Sequence, residues 1–263
     1  MLCDITLSRR LERAEGAAGA RFVEARARAS PESGVMWIEV AGAYAMYDGP
    51  RSPATQTFGL GVFQKAEATD LERLETFFKD RDAPVFHEVS PIADRSLLTM
   101  LCERGYRPVE LTTILFQPLP ASARYDGSIP VRIVTEAERD LWAVTFAAGW
   151  GESAETSDLA GVMRVAAARE GALDFIAEID GEPIAAGGLC VHESVAVLAG
   201  ASTIPEFRGR GAQKALLAAR LAQAAEMGCD LAMMGAEPGS VSQRNAERQG
   251  FRVAYTRIKW GLV

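Results

Sequence analysis

A short loop between a strand and a helix constrains the fold more than any other feature of the sequence. Ser194–Thr203 predicts a strand, residues 205–211 read P-E-F-R-G-R-G, and a helix is predicted from Ala212 onward. Such a loop presents free backbone N–H groups at the positive end of a helix dipole, and glycine lets a ligand approach the backbone closely. Arg208 and Arg210 add forked donors that suit phosphate oxygens. The segment therefore predicts a phosphate or pyrophosphate site.

The spacing of this loop excludes two common phosphate motifs. It matches neither G-x-x-x-x-G-K-[ST] nor G-x-G-x-x-G, because Ala212, Gln213 and Lys214 follow Gly211. An RNA-binding arm would also contain arginine and glycine, but such arms are repeated in disordered tails. The chain has a net charge of −7 and a pI near 5.1, so a nucleic acid is not the expected partner.

The composition predicts a packed protein of one large domain or two of ordinary size. The chain has 263 residues, of which 48% are hydrophobic and 24% are charged. Four scattered cysteines without a C-x-x-C pair, and two histidines, predict neither a disulfide framework nor a metal site. No long uncharged apolar stretch and no signal-peptide pattern is found, so we expect no membrane partner and a cytoplasmic location.

A proline-containing stretch divides the chain into two parts. Residues 117–130 read Q-P-L-P-A-S-A-R-Y-D-G-S-I-P, which is typical of a linker. We expect a first domain at 1–118, a linker at 119–130 and a second domain at 131–263.

Both parts repeat the order helix, strand, helix, Gly-aromatic-Arg, strand. Residues 105–107 read G-Y-R in the first part, and residues 250–252 read G-F-R in the second. The first of these helices is predicted to open with a capping box formed by Thr69 and Glu72. The repeated order indicates an internal duplication, with chance similarity of two ordinary segments as the alternative.

The loop resembles the motif R-x-x-G-x-[GA] of the GCN5-related N-acetyltransferases (GNAT), which follows a strand and P-E-[FY]. Arg208, Gly211 and the P-E-F at 205–207 fit this motif, and the resemblance extends over about Phe175–Trp260. Gln213 stands where the family has glycine or alanine, so a larger side chain is expected to face the pyrophosphate. Residues 242–257, S-Q-R-N-A-E-R-Q-G-F-R-V-A-Y-T-R, look like the family's closing helix and strand.

The resemblance implies a mixed α+β fold with two tandem acyl-CoA N-acyltransferase domains. Each would be a mostly antiparallel mixed sheet flanked by helices. The first part looks like a degenerate copy, because V-F-Q-K-A-E-A between Gly61 and Thr69 contains no arginine–glycine loop. Only the second part is therefore expected to bind the cofactor.

The implied cofactor is acetyl-CoA, with CoA as product. Its pantetheine arm would pair with the end of the strand before the loop, its pyrophosphate would lie on the loop, and the closing helix would contribute polar contacts. The residues expected to bind it are Ser202, Thr203, Ile204, Arg208, Gly209, Arg210, Gly211, Ala212, Gln213, Ser242 and Asn245. Ser242 is also a candidate helix cap.

The resemblance further implies direct attack by an acceptor amine, which must first lose a proton to a base. Glu178 is the candidate base, although a solvated carboxylate is the simpler interpretation. Relatives often carry the general acid, a tyrosine, at the position of Ala246, so Tyr255 is the candidate substitute. Trp150 and Glu152 are expected beside the acceptor. Other carboxylates that stay open as bases are Glu152, Glu193 and Glu237.

The sequence thus predicts an N-acetyltransferase that acts on a primary amine of a small molecule or peptide, as a monomer or homodimer. One alternative is a CoA-binding sensor or scaffold without turnover. Another is a transferase of longer acyl groups.

Overall fold

The computed structural model describes residues 4–121, 129–151 and 158–262. The chain forms two compact units. Unit 1 comprises Met1–Phe116 and Gly235–Val263, and unit 2 comprises Gln117–Met234.

The elements follow one another as a mixture of helices and short strands. The N-terminal part contains α1 (Ile5–Ala29), β1 (Met36–Val40), β2 (Ala43–Tyr47), β3 (Gln56–Phe58), α2 (Ala68–Lys79), β4 (Val85–Val89), α3 (Arg95–Glu103) and β5 (Arg107–Pro118). The middle part contains β6 (Val131–Ile133), α4 (Arg139–Ala148), α5 (Leu159–Ala167), β7 (Ala172–Ile179), β8 (Glu182–His192), β9 (Val195–Val197), β10 (Ala201–Thr203), α6 (Ala212–Glu226) and β11 (Leu231–Ala236). The C-terminal part contains α7 (Val241–Arg248) and β12 (Arg252–Leu262).

The strands of unit 1 are ordered β1-β2-β3-β4-β12-β5. Among the described strand pairs of this unit, β3–β4 is the only parallel one, and β12 runs antiparallel to both β4 and β5. The core on the α2 and α3 face contains Leu71, Leu74, Phe78, Leu97 and Leu101, all fully buried. The last strand of the chain is therefore an interior strand of this unit.

The sequence did not predict α1, which is the longest helix among the described residues. Asp4 accepts a hydrogen bond from the Leu7 backbone N–H at 2.8 Å and so caps its first turn. Gly16 and Gly19 let the side chains of Tyr44 and Met46 approach, since a Cβ at either glycine would lie within 2.6 Å of them. The many alanines and glycines of α1 blur the apolar periodicity on which the prediction depends.

The capping box predicted for α2 was displaced by two residues. The helix begins at Ala68, and the reciprocal pair is formed by Glu67 and Asp70 rather than by Thr69 and Glu72. Glutamate is an uncommon cap, so the better capping residue at Thr69 misled the prediction.

The strands of unit 2 are ordered β11-β9-β8-β7-β6, and β10 pairs with β8. Of the strand pairs described in unit 2, β11–β9 is the only parallel one. Asp180 and Gly181 form the predicted hairpin turn between β7 and β8, with φ of 53° and 81°. The prediction of a mixed, largely antiparallel α+β fold is confirmed for the described residues.

The structural units differ from the expected domains in two respects. Unit 2 begins at Gln117, ahead of the linker expected at 119–130. Residues 235–263, expected in a domain at 131–263, belong to unit 1. The physical reason is that β12 pairs with β4 and β5, more than 130 residues earlier in the chain. No local pattern in the sequence encodes that pairing.

Candidate active site

The strand predicted at Ser194–Thr203 is broken in the middle. β9 pairs with β8 on one side and with β11 on the other, and the Leu198 N–H donates to the Met233 carbonyl at 2.9 Å. Beyond Gly200, β10 has β8 as its only strand partner among the described residues. Since β8 occupies one edge of β10, an extended ligand would have to pair with the second edge.

The register of β10 shows which backbone groups face this edge. The Gly188 N–H donates to the Gly200 carbonyl at 3.2 Å, and Ala201 lies opposite Gly187. Because alternate residues of an antiparallel strand direct their peptide groups to opposite sides, the N–H and C=O of Ala201 and Thr203 face away from β8. Of the three residues expected to pair with pantetheine, Thr203 thus presents its backbone to the edge. The backbone groups of the other two, Ser202 and Ile204, face β8.

The loop after β10 adopts the conformation that its glycines allow. A short 3₁₀ turn, Pro205–Phe207, leads to Gly209 and Gly211, whose φ values of 79° and 96° lie in the left-handed region. The Ala215 N–H donates to the Gly211 carbonyl at 3.0 Å, so α6 starts directly at the loop. The first N–H groups of α6 lack acceptors within the helix and point toward the loop.

Arg208 ties the loop to the rest of unit 2. Its Nη2 donates to the Gly149 carbonyl at 2.8 Å, and its Nε donates to the Thr203 carbonyl at 3.3 Å. Gly149 permits this closeness of α4 and β10, since a Cβ there would lie 2.5 Å from Ser202 and 2.9 Å from the Thr203 nitrogen. Arg208 therefore holds the loop in place through contacts within the protein.

Two further side chains fix the end of β10. The Gln213 amide donates to Thr203 Oγ1 at 2.8 Å, and Ser202 Oγ donates to the Phe146 carbonyl at 2.7 Å. The sequence led us to expect Gln213 to face a pyrophosphate, but its amide is directed to β10 instead. This hydrogen bond gives a structural reason for the departure from the family motif.

Arg210 is exposed. Its guanidinium carbon lies 5.2 Å from the centre of the Phe207 ring. The guanidinium is therefore accessible to an anion from solvent.

Asp174, which the sequence analysis did not single out, is a buried carboxyl of unit 2 with a strongly shifted pKa. It lies on β7, it is 4% exposed, and its Oδ1 has no hydrogen-bond partner among the described residues. Burial raises the pKa of Asp174 to about 6, against the opposing effect of Arg169 and Arg139. The residue lines a cavity of about 60 Å³ together with Arg139 and Leu173.

The two predicted catalytic side chains are both engaged elsewhere. Glu178, on β7, forms an ion pair with Arg132 at 3.0 Å. Tyr255, on β12 of unit 1, donates to Glu12 Oε1 at 2.8 Å, and both residues are buried. Burial raises the pKa of Tyr255 far above its ordinary value, and the neighbouring Glu12 adds to the effect. The geometry favours structural roles for both.

The remaining predicted residues are dispersed. Trp150 follows α4 and is 60% exposed, and Glu152 lies outside the described residues. Ser242 and Asn245 are exposed on α7 of unit 1. The cap of α7 is Ser240, whose hydroxyl accepts from the Gln243 N–H at 3.1 Å, so the prediction that Ser242 caps this helix was wrong.

Arg220, on α6, is a second residue that the sequence analysis missed. Its side chain is buried among backbone carbonyls, and Nη1 donates to Gly188 at 3.1 Å and to Gly200 at 3.2 Å. The apolar periodicity of α6 does not distinguish Arg220 from an exposed arginine. Only the packing of the folded chain shows that this side chain is buried.

Apolar side chains from the segment between β3 and α2 pack within unit 1. Leu60 and Val62 are buried in the core, and Arg13 stacks on the Phe63 ring at 3.9 Å. A degenerate first copy without a cofactor site stays a prediction.

Comparison with known proteins concerns the family and the fold. Residues 135–251 match the acetyltransferase (GNAT) family model. Among curated proteins, none matches the chain significantly in sequence.

Solved structures resemble the chain over most of its length. A GCN5-related N-acetyltransferase from Kribbella flavida aligns at 21% identity and a TM-score of 0.66, covering 92% of this chain and 95% of its own. A tandem GNAT protein from the clavulanic acid biosynthesis pathway aligns at 13% identity and a TM-score of 0.56, covering 94% of each chain. A GCN5-related N-acetyltransferase from Sphaerobacter thermophilus aligns at 20% identity and a TM-score of 0.52, covering 79% of this chain and 71% of its own.

The family-model match and the similar solved structures together identify an acyl-CoA N-acyltransferase fold. The chain carries a GNAT acetyltransferase domain at residues 135–251, and its fold is that of the GCN5-related N-acetyltransferases. Members of this family transfer acyl groups from acyl-CoA to amines. In the described part of the chain, no helix has both the length and the apolar character needed to cross a membrane.

Proposed function

We propose that the protein is an N-acetyltransferase that moves an acetyl group from acetyl-CoA to a primary amine of a small molecule or peptide. The observation that carries this proposal is the continuity of the open β10 edge with the loop and the start of α6. An extended arm can pair with the outward-facing N–H and C=O of Ala201, and the anionic end then meets the loop.

The loop residues fit the chemistry of CoA. Backbone N–H groups at the start of α6 and the exposed Arg210 suit a pyrophosphate, and the left-handed Gly209 and Gly211 leave the backbone uncovered. Among the described residues, a Cβ at Gly209 would meet no atom within 4 Å. Arg208, Gln213 and their partners keep this surface in one geometry.

In the proposed reaction a base first takes one proton from the ammonium form of the amine. The amine nitrogen then bonds to the thioester carbonyl carbon, the carbon–sulfur bond breaks, and a second amine proton ends on the departing thiolate. We propose Asp174 rather than Glu178 as the base, because Asp174 lines a cavity and its buried Oδ1 has no hydrogen-bond partner among the described residues. A pKa of about 6 leaves it mostly ionised at neutral pH and still able to accept a proton.

Calorimetric titration with acetyl-CoA tests the cofactor site. The wild type should bind saturably, and the double variant Arg210→Glu, Gly211→Asp should not. The single variant Arg73→Glu, at an exposed position of α2, serves as the charge control. Absence of binding by the wild type would refute the proposal.

A screen of amines then separates an enzyme from a sensor. Amine-dependent release of the CoA thiol supports transfer, whereas binding without release supports a sensor or scaffold. The latter has one observation in its favour, since Tyr255 and Glu178 are both held by other side chains. Comparing acetyl-CoA with butyryl-CoA and palmitoyl-CoA as donors tests the third candidate, a transferase of longer acyl groups.

A further inference from the structure

Arg220 is unusual for a buried arginine because backbone carbonyls are the partners of its guanidinium. Nε donates to the Leu216 carbonyl of its own helix at 3.2 Å, and Nη1 donates to Gly188 and Gly200. Within the described residues it has no ion pair, and burial lowers the pKa of Arg220 to about 10. The charge is therefore present at neutral pH and is directed at peptide groups.

The carbonyl of Gly200 has two donors. It accepts from the Gly188 N–H at 3.2 Å and from Arg220 Nη1 at 3.2 Å. Both lie on the β8 side of the strand. The N–H of the same peptide group belongs to Ala201 and points the opposite way, to the open edge of β10.

Hydrogen bonds along a chain of groups polarise one another, and a charged donor does so more strongly than a neutral one. A peptide group whose carbonyl is held by a guanidinium therefore has a more acidic N–H. At the open edge, a stronger donor from Ala201 is what a developing negative charge on a thioester oxygen requires.

We propose that Arg220 is a positioning residue that acts through the Gly200–Ala201 peptide group, fixing the break between β9 and β10 and strengthening the Ala201 N–H as a donor to an acyl-CoA carbonyl. This inference rests on the proposed function. It assigns a role to a side chain that lies behind the strand and does not touch the reactants.

The packing around the guanidinium supports this role. A Cβ at Gly187 would lie 3.1 Å from the Arg220 Cζ, so glycine makes room for the side chain on that face of β8. Gly200 has a φ of 67°, and a Cβ there would lie 2.9 Å from the Phe146 ring. Two glycines thus keep the arginine and the strand break in contact.

The first test needs no cofactor. In the apo protein, the Ala201 amide should show a ¹⁵N resonance that moves upfield in Arg220→Met. It should move less in Arg220→Lys, which keeps the charge, and in Gly187→Ala, which displaces the guanidinium without removing it. Arg81→Met is the control, because that side chain donates to the Phe77 carbonyl in unit 1. An Ala201 resonance that is unchanged in all three test variants would overturn the inference.

The second test uses acetyl-CoA labelled with ¹³C at the carbonyl. Isotope-edited infrared spectra should show a lowered carbonyl frequency on binding to the wild type, and Arg220→Met should lose most of that shift while binding of CoA alone changes less than about threefold. With an acceptor amine in hand, kcat should fall on the order of tenfold with little change in KM.

The outcomes separate the two proposals. If the wild type does not bind acetyl-CoA, the proposed function fails, while the amide resonance still reports on Arg220. If it binds with a lowered carbonyl frequency that Arg220→Met retains, the inference fails and the proposed function stands. If Arg220→Met does not fold, Arg220→Lys and Gly187→Ala replace it in the infrared test. A thioester carbonyl frequency lowered as far in both variants as in the wild type would overturn the inference.

Discussion

Replacing Asp174 by asparagine should change how the stability of the protein depends on pH. The folded-state pKa of this carboxyl is raised from 3.8 to about 6, because burial disfavours the charged form. A raised pKa means that protonation stabilises the folded state. That contribution is fully present below pH 3.8 and is lost as the pH rises through about 6.

The size of the effect follows from the shift. A difference of roughly two pKa units corresponds to about 3 kcal/mol between the two limits. The asparagine variant cannot ionise, so its free energy of unfolding relative to wild type should rise by about that amount from pH 4 to pH 8. Glu182→Gln, at an exposed carboxyl on the β7–β8 hairpin, should show no such trend.

Urea unfolding at several pH values, followed by tryptophan fluorescence, measures the difference. Titration of the Asp174 side-chain carboxyl by ¹³C NMR measures the pKa directly. A stability difference that is constant from pH 4 to pH 8, together with a midpoint near 4, would show that Asp174 is solvated. The argument for a proton acceptor in the cavity would then be wrong.

Three further predictions concern the loop, the strand and the buried tyrosine. Arg210→Ala should weaken acetyl-CoA binding about tenfold at low salt and lessen the salt dependence of binding, because one exposed charge near the phosphates is lost. Calorimetry at two ionic strengths measures this, with Arg73→Ala as the control. Gly149→Ala should lower the free energy of unfolding by about 1–3 kcal/mol and weaken acetyl-CoA binding, because the new Cβ overlaps Ser202. Thermal unfolding and calorimetry test this, and a variant that binds acetyl-CoA with wild-type affinity would contradict the proposed role of this contact. Tyr255→Phe should lower the free energy of unfolding by about 1–3 kcal/mol, because Glu12 loses a buried hydrogen-bond donor, and should change kcat less than about threefold. A large fall in kcat with unchanged stability would restore Tyr255 as the general acid.

The loop was predictable because its signals are local. Two glycines in the left-handed region, a following helix and nearby arginines all lie within a few residues of one another. The hairpin turn at Asp180 and Gly181 was predictable for the same reason. Positions such as these carry their own conformational preference, whatever the rest of the chain does.

Asp174 and Arg220 were not predictable, because their importance comes from burial. Asp174 reads as an ordinary polar residue at the start of a strand, and Arg220 reads as one of several arginines on a helix. Each is perturbed by neighbours that come from other elements. The sequence also did not show which backbone groups of β10 face its unpaired edge. The break at Gly200 decides whether these are the groups of Ser202 or those of Ala201 and Thr203.

The position of β12 has a consequence for the order in which the chain is made. A ribosome releases β4 and β5 long before β12, the strand that lies between them, so unit 1 cannot complete its sheet until the last residues emerge. Glu12, near the start of the chain, likewise waits for Arg257 and Tyr255 near its end. Unit 2 is one uninterrupted stretch of sequence and has no such delay. Synthesis therefore favours folding of the cofactor-loop unit first and closure of the N-terminal unit last.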